Sequence, residues 1–157
     1  MLSKTILAAL FMYQFSVLSF GNSAPLKVGD IVIEQRWARM VSDMPGAIDV
    51  YLAIRNTSQF DELLYAVAAQ GGSQAFLHES IEGKTDPEPL PGGVVLEATT
   101  QLVMRKNGIH IVVAGLKGAV APGSKLDLIV LFRDAGELEI DVPVLEDSVP
   151  DPIVLRR

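Results

Sequence analysis

Cysteine is absent from the 157 residues of this chain. Disulfides, thiolate metal sites and thiol catalysis are therefore excluded, and stability has to rest on packing. Aromatic residues make up only 6% of the chain, with a single tryptophan, Trp37. So sparse a set offers no evident platform for a sugar, which weighs against a carboxylate pair doing glycoside chemistry. There is no basic run beyond the terminal Arg156-Arg157, and the formal net charge is −6. Nucleic acids and anionic lipid surfaces are bound through clustered Lys and Arg, so no nucleic-acid partner is expected. Gly-x-Ser-x-Gly, Walker and His-Glu-x-x-His motifs are all missing, and the chain is read as a non-enzyme. Histidine is nearly absent too: His78 and His110 are the only two.

What is present begins with an export signal. Lys4 supplies a positive charge, and Ile6 through Phe20 form an apolar stretch broken only by Gln14, Ser16 and Ser19. Small residues follow at Gly21, Ser23 and Ala24. This is the layout of a secretory signal peptide, assigned to residues 1–23. The stretch is short for a spanning helix. No cysteine follows it to carry a lipid, so no stable membrane insertion is expected after cleavage.

The rest is 49% hydrophobic overall and long enough for one packed domain, assigned to residues 24–145. Short β-branched runs alternate with turn signals. Strands are expected over 28–39, 48–55, 61–69, 74–80, 94–96, 101–104, 109–114, 126–132 and 138–144. Residues 86–93 hold three prolines and cannot be a helix interior. Eight or nine strands at short spacing, with no helix after the signal, predict an all-β antiparallel sandwich or barrel. Trp37 reads as a core anchor, and Arg39 as partner to a carboxylate that braces a loop. Asn56-Thr57-Ser58 reads as an Asx turn ending a strand. The tail, 146–157, has no periodicity and is expected to fray.

The two histidines raise a metal question, because imidazole is a versatile neutral ligand. Alone they make a poor site. The nearest local concentration of acids is Glu79, Glu82, Asp86 and Glu88. That cluster reads either as a solvated loop or as accessory ligands and an electrostatic guide for cations.

A series of short frames narrows the reading. Trp37-Ala38-Arg39 is followed by a Pro-Gly loop, then 51–57 (Tyr-Leu-Ala-Ile-Arg-Asn-Thr) and Asp61-Glu62-Leu63. Leu77-His78-Glu79, Gly92-Gly93-Val94, 107–111 (Asn-Gly-Ile-His-Ile), Gly115-Leu116-Lys117 and Pro122-Gly123 follow in order. From Val28 to Val144 the chain resembles the periplasmic copper chaperones of the PCu(A)C type. The resemblance implies a cupredoxin-like antiparallel β-sandwich that binds copper, mostly Cu(I), in the periplasm. It also implies delivery to a copper-accepting protein, such as a cytochrome oxidase subunit or its assembly factors. The family's ligands are a histidine, a methionine, and then His-x-Met. His78 and His110 match the two histidines as metal ligands. The first methionine slot falls at Pro87, Glu88 or Pro89, and the second is Val112. Met104 matches a core position.

Two outcomes stay open. His78 and His110 hold a metal, with Glu79 or Glu88 helping, and a carboxylate in place of thioether shifts preference toward Cu(II) or Zn(II). Alternatively the metal is lost and the sandwich persists as an interaction module. Met40 and Met44, read as early-loop residues, are sulfurs whose distance from the histidines the sequence leaves open.

Overall fold

The computed structural model describes residues 23–152, apart from 43 and 119. All but the last residue of the expected signal segment lies outside the described residues, as does the chain after Pro152, including Arg156-Arg157.

Alternating apolar residues build two antiparallel sheets. In the first, β1 (Leu26–Val28), β2 (Ile31–Met40), β3 (Ile48–Asn56), β5 (Gln74–Glu79), β6 (Glu88–Pro89) and β9 (Ile109–Ala114) run in the order β1-β2-β3-β9-β5-β6. A short β8 (Gln101–Val103) pairs with the far end of β3. The second sheet holds β4 (Glu62–Ala69), β7 (Val94–Leu96), β10 (Lys125–Phe132) and β11 (Gly136–Pro143), ordered β11-β10-β4-β7. Leu126, Leu128, Val130 and Phe132 show the pattern at its cleanest: every second residue of β10 is buried. They meet Val50, Leu52 and Ile54 of β3 and Ile111 and Val113 of β9 in one continuous core. The antiparallel sandwich read from the strand spacing is the observed fold.

Two strands were not expected. Gly29, at φ +53°, turns the chain within the first predicted strand and splits off β1. The proline-rich segment contributes the two-residue β6. Proline is tolerated there because β6 is an edge strand whose outer side needs no donor. The sharp passage from β4 to β5 is a single 3-10 turn, Gln70–Gly72.

Three side chains lock the layers. Asn56 is fully buried and donates to the carbonyls of Phe60 and Leu96, while its Oδ1 accepts the Ser58 N–H at 2.9 Å, the expected Asx turn. Arg36 is buried at the sandwich margin and donates to Asp141 of the opposite sheet, Nη2 to Oδ1 at 2.7 Å. Arg39 donates to the carbonyls of Glu146 and Val149 and pairs with Asp151 at 2.9 Å. The predicted carboxylate partner of Arg39 thus exists, but it belongs to the tail rather than a loop. The segment after Val144 does not fray as expected. One arginine holds its backbone through residue 151, a long-range tie that leaves no mark on periodicity.

Asp141 also accepts from Lys125 at 2.6 Å. Hydrogen bonds from Lys125 first, and then Arg36, hold its carboxyl at about 2, below the ordinary 3.8. An acid depressed in this way stabilises the fold above its unfolded value, and that stabilisation is lost as pH falls from about 4 through about 2. Because Asp141 is 37% exposed, solvent screening reduces the effect. Asp141→Asn is expected to cost about 1–2 kcal/mol at pH 7. The deficit should shrink toward zero below pH 2 when urea midpoints are compared across pH.

Candidate metal centre

Strands β5 and β9 are paired so that His78 lies directly opposite His110. Their neighbours Leu77 and Ile111 enter the core. Side chains alternate across a strand, so both imidazoles point to the other face of the sheet. Their ring centroids are 6.2 Å apart and the planes nearly perpendicular, at 81°.

The row of rings extends in both directions. Phe76 stacks beside His78 at 6.1 Å, Tyr51 lies 6.3 Å from His110, and Trp37 stacks on Tyr51 at 5.4 Å. Trp37 is buried among the core residues, the anchor its isolation suggested.

Each histidine has a defined chemical state. His110 is buried, and its Nδ1 lies 2.9 Å from the Gly108 carbonyl. A carbonyl only accepts, so Nδ1 carries the proton and Nε2 keeps the lone pair. The same carbonyl accepts the Ser80 N–H at 3.0 Å, which ties the end of β5 to the turn before β9. That turn closes with hydrogen bonds from Gly108 N–H to Arg105 and from Arg105 N–H to Ile109. His78 is half-buried, and its Nδ1 is buried without a hydrogen-bond partner. Burial first, and then the neighbouring His110, push its pKa down, against the pull of Asp49. Both effects favour a neutral imidazole with a lone pair to give.

Asp49 is the residue that sequence reasoning missed. It lies on β3 directly opposite Val112, the slot of the absent methionine. Its Oδ2 accepts the Tyr51 hydroxyl at 3.2 Å. Burial raises its pKa, opposed by His110, the Tyr51 hydrogen bond, Lys106 and His78. Tyr51 is pushed up in turn, by burial and by Asp49, so it stays a protonated donor. The one available signal was a carboxylate breaking the apolar run Ile48-Asp49-Val50 in a central strand.

The other candidates sort by register. Pro89 pairs with His78, so the first methionine slot does lie at the histidines and is filled by a ring without a donor atom. Glu79 and Glu88 pair with each other one residue along, on the opposite face from His78. Glu88 is engaged by Lys84. Neither helps the histidines as the sequence reading allowed. Met40 is not in a loop: it closes β2 opposite Ile48 and packs on the core. Met44 is exposed in the turn beyond, and Met104 is fully buried, as its core assignment required. Among the described residues, no three His, Cys, Asp or Glu side chains converge closely enough to hold a metal ion.

The sequence model of the LpqE-like family matches residues 31–144. This chain belongs to the LpqE-like family. A relative in Leifsonia xyli subsp. xyli that carries a lipoprotein name, Lxx21020, is 22% identical over 120 residues, covering 75% of this chain and 71% of that protein. Among solved structures, the copper-bound PCuAC domain from PmoF2 superposes with a TM-score of 0.64 at 20% identity, over 78% of this chain and 98% of that one. The apo PCuAC domain from PmoF1 gives 0.65 at 22%, over 76% and 97%. The solution structure of CuI-DR1885 from Deinococcus radiodurans gives 0.61 at 17%, over 80% and 83%. This LpqE-like chain therefore has the fold of the PCuAC domains, and the resemblance and cupredoxin-like sandwich inferred from the short frames are borne out.

The site geometry predicts the titration of the two imidazoles. In an NMR pH titration, His78 should inflect below the ordinary 6.5. In Asp49→Asn it should fall further, because the carboxylate that opposes the shift is gone. The Nδ1 proton of His110 should remain visible and hydrogen-bonded at neutral pH.

Proposed function

We propose that this LpqE-like protein is an exported copper carrier that holds a copper ion between His78 and His110. It would pass the ion to a copper-accepting protein in the periplasm, such as a cytochrome oxidase subunit or its assembly factors. The observation that carries this reading is the direct cross-strand pairing of two imidazoles, each with a free lone pair. A metal–imidazole nitrogen bond is about 2 Å, so two imidazoles sharing an ion have ring centres about 6 Å apart. The observed 6.2 Å lies in that range. The orphaned Nδ1 of His78 points the same way, since a buried polar atom without a partner is costly and a bound cation would relieve it.

The role follows from the small number of donors. Imidazole suits copper in both common oxidation states. Two neutral ligands leave open positions through which an acceptor's donors can enter before the histidines let go. His78, the more exposed of the pair, is the natural first ligand to exchange. Export is supported by the leader-like N-terminus and by the lipoprotein names of the family and its relative. Among the described residues no helix is long and apolar enough to cross a membrane. Copper in the PmoF2 domain and Cu(I) in DR1885 occupy the same fold.

An anaerobic Cu(I) titration against a competing chelator tests the reading. His78→Ala and His110→Ala are each expected to weaken binding at least tenfold, with circular dichroism confirming that both remain folded. Wild-type binding no tighter than that of the double variant would sink the carrier reading and leave the sandwich as a metal-free interaction module. Tight Zn(II) or Cu(II) binding without Cu(I) binding would favour a sequestering role for divalent ions.

A further inference from the structure

The two family thioethers are replaced by groups that donate nothing, Pro89 beside His78 and Val112 beyond His110. The carboxylate of Asp49 stands across the sheet from that second slot. We propose that Asp49 is a specificity-determining residue of the histidine site, acting through its charge to favour divalent over monovalent copper. This deepens the carrier reading and rests on it.

Three observations support the assignment. Asp49 opposes Val112 in register, which places it diagonal to His110. Diagonal cross-strand neighbours on one face are about 7–8 Å apart at the backbone, within reach of side chains that lean together. Next, Tyr51 holds the carboxylate: its hydroxyl donates to Oδ2, while its ring packs against His110. A carboxylate held by its neighbour cannot swing freely into solvent. Finally, both histidines feel Asp49, and Asp49 feels both of them. Yet no third acid or imidazole converges with the pair among the described residues. Asp49 therefore acts from outside the donor set, as a fixed negative charge rather than a ligand.

The consequence is selective. Two neutral imidazoles give the bound ion no charge compensation, and a nearby carboxylate supplies it. Its attraction scales with the charge of the ion, so Cu(II) gains twice what Cu(I) gains. A thioether does the reverse, since soft neutral sulfur favours Cu(I). Exchanging sulfur for the Asp49 charge moves the site toward the oxidised ion and lowers its reduction potential.

The test compares wild type, Asp49→Asn and Asp49→Glu for Cu(I) and Cu(II) affinity, with the potential of the bound copper as an independent readout. Zn(II) serves as a divalent probe without redox chemistry. Asparagine keeps the shape and can still accept from Tyr51, so folding should survive. Asp49→Asn is expected to lose at least tenfold more affinity for Cu(II) than for Cu(I), equivalent to a rise of about 59 mV in the one-electron potential. Zn(II) affinity should drop in parallel with Cu(II), and Asp49→Glu should retain most of both. Equal losses for the two copper ions, or an unchanged potential in a folded Asp49→Asn, overturn the inference and leave the carrier reading standing. A wild type that binds no copper overturns both.

Discussion

The functional face depends on the register between β5 and β9. Side-chain direction in a strand has a period of two, so a slip of one residue would send His78 into the core and Leu77 to the surface. Burial opposes that slip, because Leu77, Ile111 and Val113 fill core positions. The ends are pinned as well, by Ser80 N–H on the Gly108 carbonyl and Leu90 N–H on the Leu77 carbonyl. The Gly108 carbonyl also sets the tautomer of His110. One backbone oxygen therefore serves both the strand register and the chemical state of an imidazole.

Around that pair the molecule is built for rigidity more than for reach. The rings from Trp37 to Phe76 pack side by side across the sheet, and the indole N–H of Trp37 is buried without a partner. Such a layer holds the imidazoles at a set separation, which a site with few donors needs more than a crowded one does. On β2, Arg36 and Arg39 reach outward in different directions. The first clamps the two sheets at Asp141, and the second draws the tail back over the start of the domain. Both ties are long-range in sequence and come from adjacent turns of one strand's alternation.

Legibility varied with how local each feature was. The long strands were readable because burial on one face writes a period of two directly into the chain, as in β3 and β10. The short β1 and β6 were not, since three residues or two carry no period and Gly29 and the prolines obscured them. The histidines were legible through their local frames. Their partner Asp49 was not, because on β3 it belongs to a different part of the chain and meets the site only through strand pairing. Glu79 and Glu88 looked closer in sequence, but alternation turns them to the wrong face.

By itself the sequence determined the fold class, the buried faces of the long strands and the identity of the two imidazoles, because each is written in local pattern or residue type. It also determined the loss of sulfur from the site, since no methionine occupies the slots at Pro87-Glu88-Pro89 or Val112. Only the tertiary structure decided that the histidines face each other, which nitrogen keeps its lone pair, and that a carboxylate from β3 stands where a thioether would have been. Those outcomes rest on hydrogen-bond register between strands distant in sequence, and register is a property of the assembled sheet.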